Sequence, residues 1–194
     1  MIKALFYRIK DIILNIGVSW DKLALDENNA TEYAENHINK EPDRYMKGST
    51  TKFTMEYCLA HSGESINERF RQNRPDEIDL QIAETLSTHK TDTDLIVYRG
   101  VCDHVFELMK ANAKAYEGVD LFEKGFMATS LVKTHELNYK TKLRIFIPAG
   151  TNCVFMGNVN DEAGFYEVTV QHDAALKIIS IDKDYINCRL LRTA

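Results

Sequence analysis

The stretch LIVYRG, residues 95–100, marks the point where the pattern of this sequence changes. Before it, apolar residues recur at helical spacing, as with Ile78, Ile82 and Leu86 after Pro75. LIVYRG is instead a run of aliphatic and aromatic residues that ends at a glycine, which is typical of a strand. Residues 1–90 are therefore predicted to be mainly helical, and residues 94–194 mainly β.

The second half of the chain is a series of short strand-like runs separated by turn signals. In one of them, Leu143, Ile145 and Ile147 alternate with Lys142 and Arg144, the pattern of a half-buried strand. The other runs are GFMATSL, FYEVTV, ALKIISI and INCRLLR. Helices followed by an antiparallel sheet region indicate an α+β fold, and no linker suggests more than one domain over residues 1–194.

Composition excludes several classes of protein. The chain has 194 residues, 44% of them hydrophobic, and a formal net charge of −5, which suits one globular domain and argues against a protein that coats nucleic acid. None of the cysteines, at positions 58, 102, 153 and 188, belongs to a CxxC pair or to a zinc-like Cys/His spacing. We therefore expect reduced structural thiols and no metal.

The N-terminal segment is amphipathic. Lys3, Arg8 and Lys10 interrupt its apolar runs, so neither a signal peptide nor a membrane span is expected. Its apolar residues recur at helical spacing, which favours a helix packed on the domain over a membrane-surface or partner helix. On this basis we expect a soluble protein that acts in a cytoplasm, including after delivery into a target cell.

One strand-like run, AGFYEVTV at residues 163–170, carries a carboxylate among apolar residues. Side chains alternate along a strand, so Val168 and Val170 are predicted to face the core, whereas Phe165, Glu167 and Thr169 face the other way. By itself this pattern fits either a solvated carboxylate or one that faces a cleft.

Three further stretches carry groups suited to an anionic ligand. Arg99 ends a strand, where its planar cation can point into a cleft. Thr129 and Ser130 place two hydroxyls on another strand-like run. In INERFR, Asn67 and Arg71 are four residues apart, so they share one helix face and could hold a phosphate together. Each stretch alone is also typical of an ordinary exposed surface.

Taken together and in this order, INERFR, VYRG, GFMATSL, FIPAGT and GFYEV resemble the mono-ADP-ribosyltransferase toxins of the Arg–Ser–Glu type, especially the small C3-like exoenzymes. The resemblance covers about residues 53–181. It implies an α+β fold in which N-terminal helices are followed by two packed, mainly antiparallel sheets, with NAD bound as substrate in the cleft between them.

The resemblance also implies roles for particular residues. Glu167, Arg99 and Ser130 would be catalytic, with Glu167 as the carboxylate that stabilises the cationic ribose formed when nicotinamide leaves. NAD would be bound by Asn67, Arg71, Arg99, Gly100, Phe126, Thr129 and Ser130. Phe165 would occupy the position that recognises the acceptor, and no metal would be required.

The sequence departs from the family pattern at two of these positions. Ala128 stands where the family usually has the serine that bonds the catalytic glutamate. Phe165 stands where the family has glutamine or glutamate, so the type of residue that is modified cannot be carried over. Glu162, in the preceding loop, is a candidate for a second carboxylate on proximity alone.

The leading hypothesis is a bacterial or phage effector that transfers ADP-ribose from NAD to a macromolecule, most simply a protein of a host or rival cell. A nucleic-acid acceptor stays open, as does the oligomeric state. Two alternatives remain: an NAD glycohydrolase, suggested by Phe165, and a degenerate domain that only binds NAD or a partner, suggested by Ala128.

Overall fold

The computed structural model describes residue 20 and residues 24–38, 59, 65–157 and 161–194. The predicted N-terminal amphipathic helix lies outside these residues. The helices are α1 (Ala30–His37), α2 (65–71), α3 (Glu77–Leu86) and α4 (Asp103–Ala113). The strands are β1 (Leu95–Val101), β2 (Leu121–Glu123), β3 (Met127–Ser130), β4 (Thr141–Ile147), β5 (Cys153–Phe155), β6 (Glu167–Val170), β7 (Ala174–Ile181) and β8 (Ile186–Arg192).

The predicted α+β fold class is confirmed, with one difference in how the strands connect. Instead of two separate sheets, the strands form one hydrogen-bonded order, β2-β7-β8-β4-β1-β3-β6-β5. The link between β1 and β3 is a single residue pair, Tyr98 with Ser130, so two halves of the sheet meet at one point. Val97 from one half and Val168 from the other belong to the same buried cluster, so both halves pack around a common core.

Helices α2 and α3 are joined by an ion pair. Arg69 donates to both carboxylate oxygens of Asp79, at 2.6 and 2.5 Å. Asp79 also closes a capping box with Asp76 at the start of α3. Of the three apolar residues at helical spacing, Ile82 and Leu86 are buried, whereas Ile78 is 55% exposed. The buried position in the first turn of α3 belongs to Asp79, which binds Arg69.

The strand predicted over residues 163–170 begins later than expected. Ala163–Phe165 form a 3-10 turn, Tyr166 adopts a left-handed conformation with φ of 47°, and β6 starts at Glu167. Within β6, Val168 and Val170 are fully buried in the core as predicted, and Glu167 and Thr169 share the other face, where Thr169 is also buried at 3% exposed. The turn releases Phe165 from the sheet, and its side chain is 42% exposed.

No described helix combines the length and the apolarity that a membrane span requires. Cys102, Cys153 and Cys188 are free thiols, as expected for structural cysteines. Burial raises the pKa of Cys153 and of Cys188 to about 12, so neither thiol is a reactive thiolate at neutral pH.

Candidate active-site cleft

An open cleft of about 180 Å³ lies beside the point where β1 and β3 meet. Six of the predicted site residues line it: Arg99, Gly100, Thr129, Ser130, Phe165 and Glu167. The other lining residues are Tyr98, Ala128, His135, Glu136, Leu137 and Glu162. Tertiary structure therefore brings together residues that lie 68 positions apart, from Arg99 to Glu167, although Asn67, Arg71 and Phe126 are not among the lining residues.

Glu167, the first residue of β6, is half-buried at this cleft. Thr169, two residues further on the same strand face, donates its hydroxyl to Glu167 Oε1 at 2.8 Å. Burial raises the pKa of the Glu167 carboxyl, and the nearby Glu162 adds to this, while the Thr169 hydrogen bond and the charge of Arg99 oppose it. The carboxylate is thus a perturbed group in a cleft, as functional carboxylates often are.

Arg99 extends from β1 toward the edge of β3. Its Nη1 donates to the carbonyl oxygen of Ala128 at 3.1 Å, and its Nη2 donates to Glu123 Oε2 at 3.0 Å. Arg99 Nε is buried without a hydrogen-bond partner among the described residues. The guanidinium is therefore fixed in place beneath the cleft, where its charge acts on Glu167.

Glu123 is a buried carboxylate that sequence reasoning missed. It accepts two hydrogen bonds from Arg71 Nε and Nη2, both at 3.0 Å, one from Arg99 Nη2, and one from the backbone N–H of Gly125 at 3.0 Å. Its side chain is 1% exposed. Arg71 and Arg99 were both predicted at the site, and two buried guanidinium groups require a carboxylate partner. That requirement is the signal that could have pointed to Glu123.

Arg71, Glu123 and Arg99 form one charged cluster. The resemblance implies that Arg71 binds NAD; in the structure its guanidinium donates two hydrogen bonds to Glu123, and the residue does not line the cleft. Two guanidinium groups and one carboxylate leave the cluster with a net charge of +1. An anionic ligand in the cleft is therefore attracted by the cluster as a whole.

Asn67 holds the turn that precedes β3 rather than lining the cleft. Its Oδ1 accepts from the backbone N–H of Phe126 at 2.7 Å. A Cβ on Gly125 would lie 2.7 Å from the same Oδ1, so a larger residue at position 125 would push the Asn67 side chain away from its hydrogen bond with Phe126. The hydrogen bond from Phe126 N–H to Asn67 thus links α2 to the segment that leads into β3.

Phe126, which the resemblance assigns to NAD binding, does not line the cleft. Its side chain is 1% exposed and lies in a core cluster with Phe70, Ile82 and Leu86. Its ring meets that of Phe70 edge-to-face at 5.3 Å. We call this cluster the second core. Burial there is favourable for a large apolar ring, but the sequence pattern alone does not show that Phe126 belongs to it.

The two predicted hydroxyls lie at the cleft but do not bond Glu167. Thr129 Oγ1 donates to the carbonyl oxygen of Val168 at 2.6 Å, which ties β3 to β6. Ser130 Oγ donates to Val132 O at 2.9 Å and accepts from Val132 N at 3.1 Å. Among the described residues, the hydroxyl that donates to the Glu167 carboxylate belongs to Thr169.

Gly100 allows a loop to cover one side of the cleft. A Cβ at this position would lie 1.8 Å from the carbonyl oxygen of Leu137, so any larger residue would displace the 137–139 segment. Leu137 lines the cleft and is 55% exposed. Glu136, beside it, accepts hydrogen bonds from Lys142 and Tyr185 through Oε1, at 2.8 and 2.9 Å.

The described residues contain no group of three or more His, Cys, Asp or Glu suited to a metal ion.

The fold and this cleft define a class of NAD-dependent transferase. The sequence model of the ADP-ribosyltransferase exoenzyme family matches residues 26–191, and the chain belongs to that family. It is a mono-ADP-ribosyltransferase that uses NAD as its substrate. A comparison with curated proteins finds no match.

Solved structures with the same fold include bacterial toxins. Plx2a, an ADP-ribosyltransferase toxin from Paenibacillus larvae, is 21% identical with a TM-score of 0.63, over 87% of this chain and 98% of that one. C3stau2 from S. aureus, solved with NAD, is 18% identical with a TM-score of 0.62, over 87% and 97%. BECa of a C. perfringens binary enterotoxin, solved with NADH, is 17% identical with a TM-score of 0.62, over 86% of this chain and 48% of that one.

Proposed function

We propose that this chain transfers ADP-ribose from NAD to a protein of another cell, and that Glu167 is the catalytic carboxylate. The observation that carries the proposal is the half-buried Glu167 carboxylate at a cleft whose floor is the buried cation Arg99. The resemblance of the fold to toxins of Paenibacillus larvae and C. perfringens supports an effector role.

In the proposed reaction, the bond between nicotinamide and ribose C1′ breaks first. Its electron pair leaves with nicotinamide, which becomes neutral, and positive charge develops on the ribose. The Glu167 carboxylate stabilises that charge because it is fixed in a partly desolvated cleft. A nucleophilic atom of the acceptor then attacks C1′ and loses its proton, so that ADP-ribose ends on the acceptor.

The cationic cluster would hold the other end of the substrate. The net charge of +1 over Arg71, Glu123 and Arg99 suits an anionic diphosphate. Arg99 lies at the cleft and Arg71 behind it, so Arg99 is the nearer of the two to bound substrate. Gly100, Thr129 and Ser130 complete the proposed NAD site through backbone and packing, since the two hydroxyls are already committed to β6 and to Val132.

The rim of the cleft suggests how an acceptor is recognised. Phe165 and Leu137 both line the cleft, and they are 42% and 55% exposed. Two exposed apolar side chains beside a catalytic carboxylate favour an acceptor protein that presents an apolar surface next to its modified residue. Phe165 cannot orient the acceptor's nucleophile by a hydrogen bond, so its contribution is contact area.

Phe165→Ala should reduce transfer to the acceptor by about tenfold, as truncation of an aromatic interface residue commonly does. The measurement is incorporation of labelled ADP-ribose into proteins of a cell lysate, with protease and nuclease digestion of the product to identify the acceptor's class. Release of nicotinamide in buffer should fall by less than transfer does. Tyr139→Ala is the matched control, since Tyr139 is 44% exposed but does not line the cleft.

Two results would contradict this proposal. Label that resists protease and is removed by nuclease would assign a nucleic-acid acceptor instead. Nicotinamide release without any labelled macromolecule in lysates from several sources would favour an NAD glycohydrolase, a reading supported by the absence of a polar group on Phe165 beside Glu167.

The rate should also depend on pH through Glu167. Only the ionised carboxylate stabilises the cationic ribose, and burial raises the pKa of this group. Activity is therefore expected to fall as the pH drops through a value above the usual glutamate pKa of about 4.3. The measurement is kcat for nicotinamide release against pH; an acid limb at or below the usual value would contradict the assignment.

A further inference from the structure

The Glu167 carboxylate needs a partner to hold its orientation, and β3 does not supply one. In the register of β3 and β6, Ser130 lies opposite Glu167 and Ala128 lies opposite Thr169. The hydroxyl of Ser130 is turned to Val132, and the methyl group of Ala128 has no hydrogen to donate. The carboxylate is therefore held from its own strand.

Thr169 has a buried hydroxyl group that donates a hydrogen bond to Glu167. The residue is 3% exposed, and its Oγ1 lies 2.8 Å from Glu167 Oε1. A buried hydroxyl without a hydrogen bond is unfavourable, and valine has nearly the same shape, so the hydroxyl is the feature that distinguishes threonine at this position. In β6 this hydrogen bond joins residues on the same face, two positions apart.

We infer that Thr169 is a positioning residue, which orients the Glu167 carboxylate in place of a hydroxyl at position 128 on the facing strand. This inference rests on the proposed role of Glu167. Position 128 and Glu167 are diagonal cross-strand neighbours on one face, since Ala128 lies opposite Thr169. Such neighbours lie about 7–8 Å apart, a separation that a long side chain such as glutamate can span to reach the hydroxyl of a serine at position 128. The two positions are therefore expected to be interchangeable as sources of the hydrogen bond.

Thr169→Val should lower kcat for nicotinamide release by roughly 10- to 100-fold, because it removes a hydrogen bond to a charged group. The KM for NAD should change little, since Thr169 does not line the cleft. Thr169→Ser keeps the hydroxyl and should behave like the wild type. Ala128→Ser added to Thr169→Val should restore most of the lost rate.

The second readout is the pKa of the Glu167 carboxyl, followed by NMR of protein with labelled glutamate and without NAD. The charged and titratable groups around it are Arg99 on β1, Glu162 in the preceding loop, and His135 and Glu136, which also line the cleft. None of them changes in these variants. The Glu167 pKa should rise in Thr169→Val, because the hydrogen bond favours the ionised form, and return toward the wild-type value when Ala128→Ser is added.

Thr91→Val is the matched control. Thr91 is fully buried, and its hydroxyl donates to the carbonyl oxygen of Thr93 at 2.8 Å, away from the cleft. It should affect stability without moving the Glu167 pKa. An unchanged Glu167 pKa in Thr169→Val, a loss in Thr169→Ser as large as in Thr169→Val, or no recovery with Ala128→Ser would each overturn the inference. If the wild type has no activity, the proposed function is contradicted. The inference about Thr169 is still tested, because the Glu167 pKa is measured without NAD and without turnover.

Discussion

Glu167→Gln is expected to reduce nicotinamide release from NAD by 100-fold or more, the usual cost of removing a fixed group that stabilises developing charge. Glutamine keeps the shape of the side chain and can still accept from Thr169, so the change is confined to the charge. The measurement is nicotinamide release by purified protein, with NAD binding measured in parallel.

Thermal stability separates this effect from misfolding. Burial raises the pKa of Glu167 in the folded protein, so at neutral pH its charged form is held in the fold at a cost that the unfolded chain does not bear. Stability from this group is present below its unfolded pKa and is lost as pH rises through the folded pKa. Glu167→Gln should therefore have a Tm equal to or above that of the wild type at pH 7, with the activity lost.

Glu162→Gln is the matched substitution on another cleft carboxylate, and it should change the rate only a few-fold. Equal losses in Glu162→Gln and Glu167→Gln would contradict the assignment of Glu167. Binding of NAD without turnover in the wild type, even with lysate present, would favour the degenerate domain suggested by Ala128.

Glu123→Gln is expected to lower both stability and activity. Glu123 accepts from Arg71 and Arg99 in a buried cluster, and removing one member of such a cluster typically costs about 3 kcal/mol of unfolding free energy. For a domain of this size that corresponds to a fall in Tm of roughly 6–12 °C. Arg99 would lose its hydrogen bond to a carboxylate beneath the cleft. A displacement of the guanidinium by about 1 Å is expected to lower the rate on the order of 100-fold.

The matched control is Glu107→Gln, which neutralises an exposed carboxylate paired with Lys110 at 2.6 Å. It should change the unfolding free energy by less than about 0.5 kcal/mol. Activity is measured below the melting range of both variants, so that the folded protein is assayed, and Tm is measured in a separate thermal scan. A Glu123→Gln protein that melts and turns over like the wild type would show that the two arginines hold their positions without it.

The local pattern of the sequence was sufficient for the class of fold and for the central residues of the cleft. The change of periodicity at residue 95 and the alternation of Val168 and Val170 with Glu167 depend on neighbours along the chain, and strand geometry translates them directly into faces. The ordered set of short motifs was sufficient for the family, and it identified Arg99 and Glu167 before any contact was known.

Tertiary structure decided what those residues bind. Glu123 meets Arg99 across 24 positions and Arg71 across 52, and no local pattern specifies such a meeting. Phe126 entered the second core, and a left-handed residue at Tyr166 turned Phe165 out of the strand. Thr169 donates to Glu167, whereas the hydroxyl of Ser130 donates to the carbonyl oxygen of Val132. In each case the outcome depends on which groups, distant along the chain, reach the same polar atom or the same apolar space. Those distances are fixed only when the chain is packed.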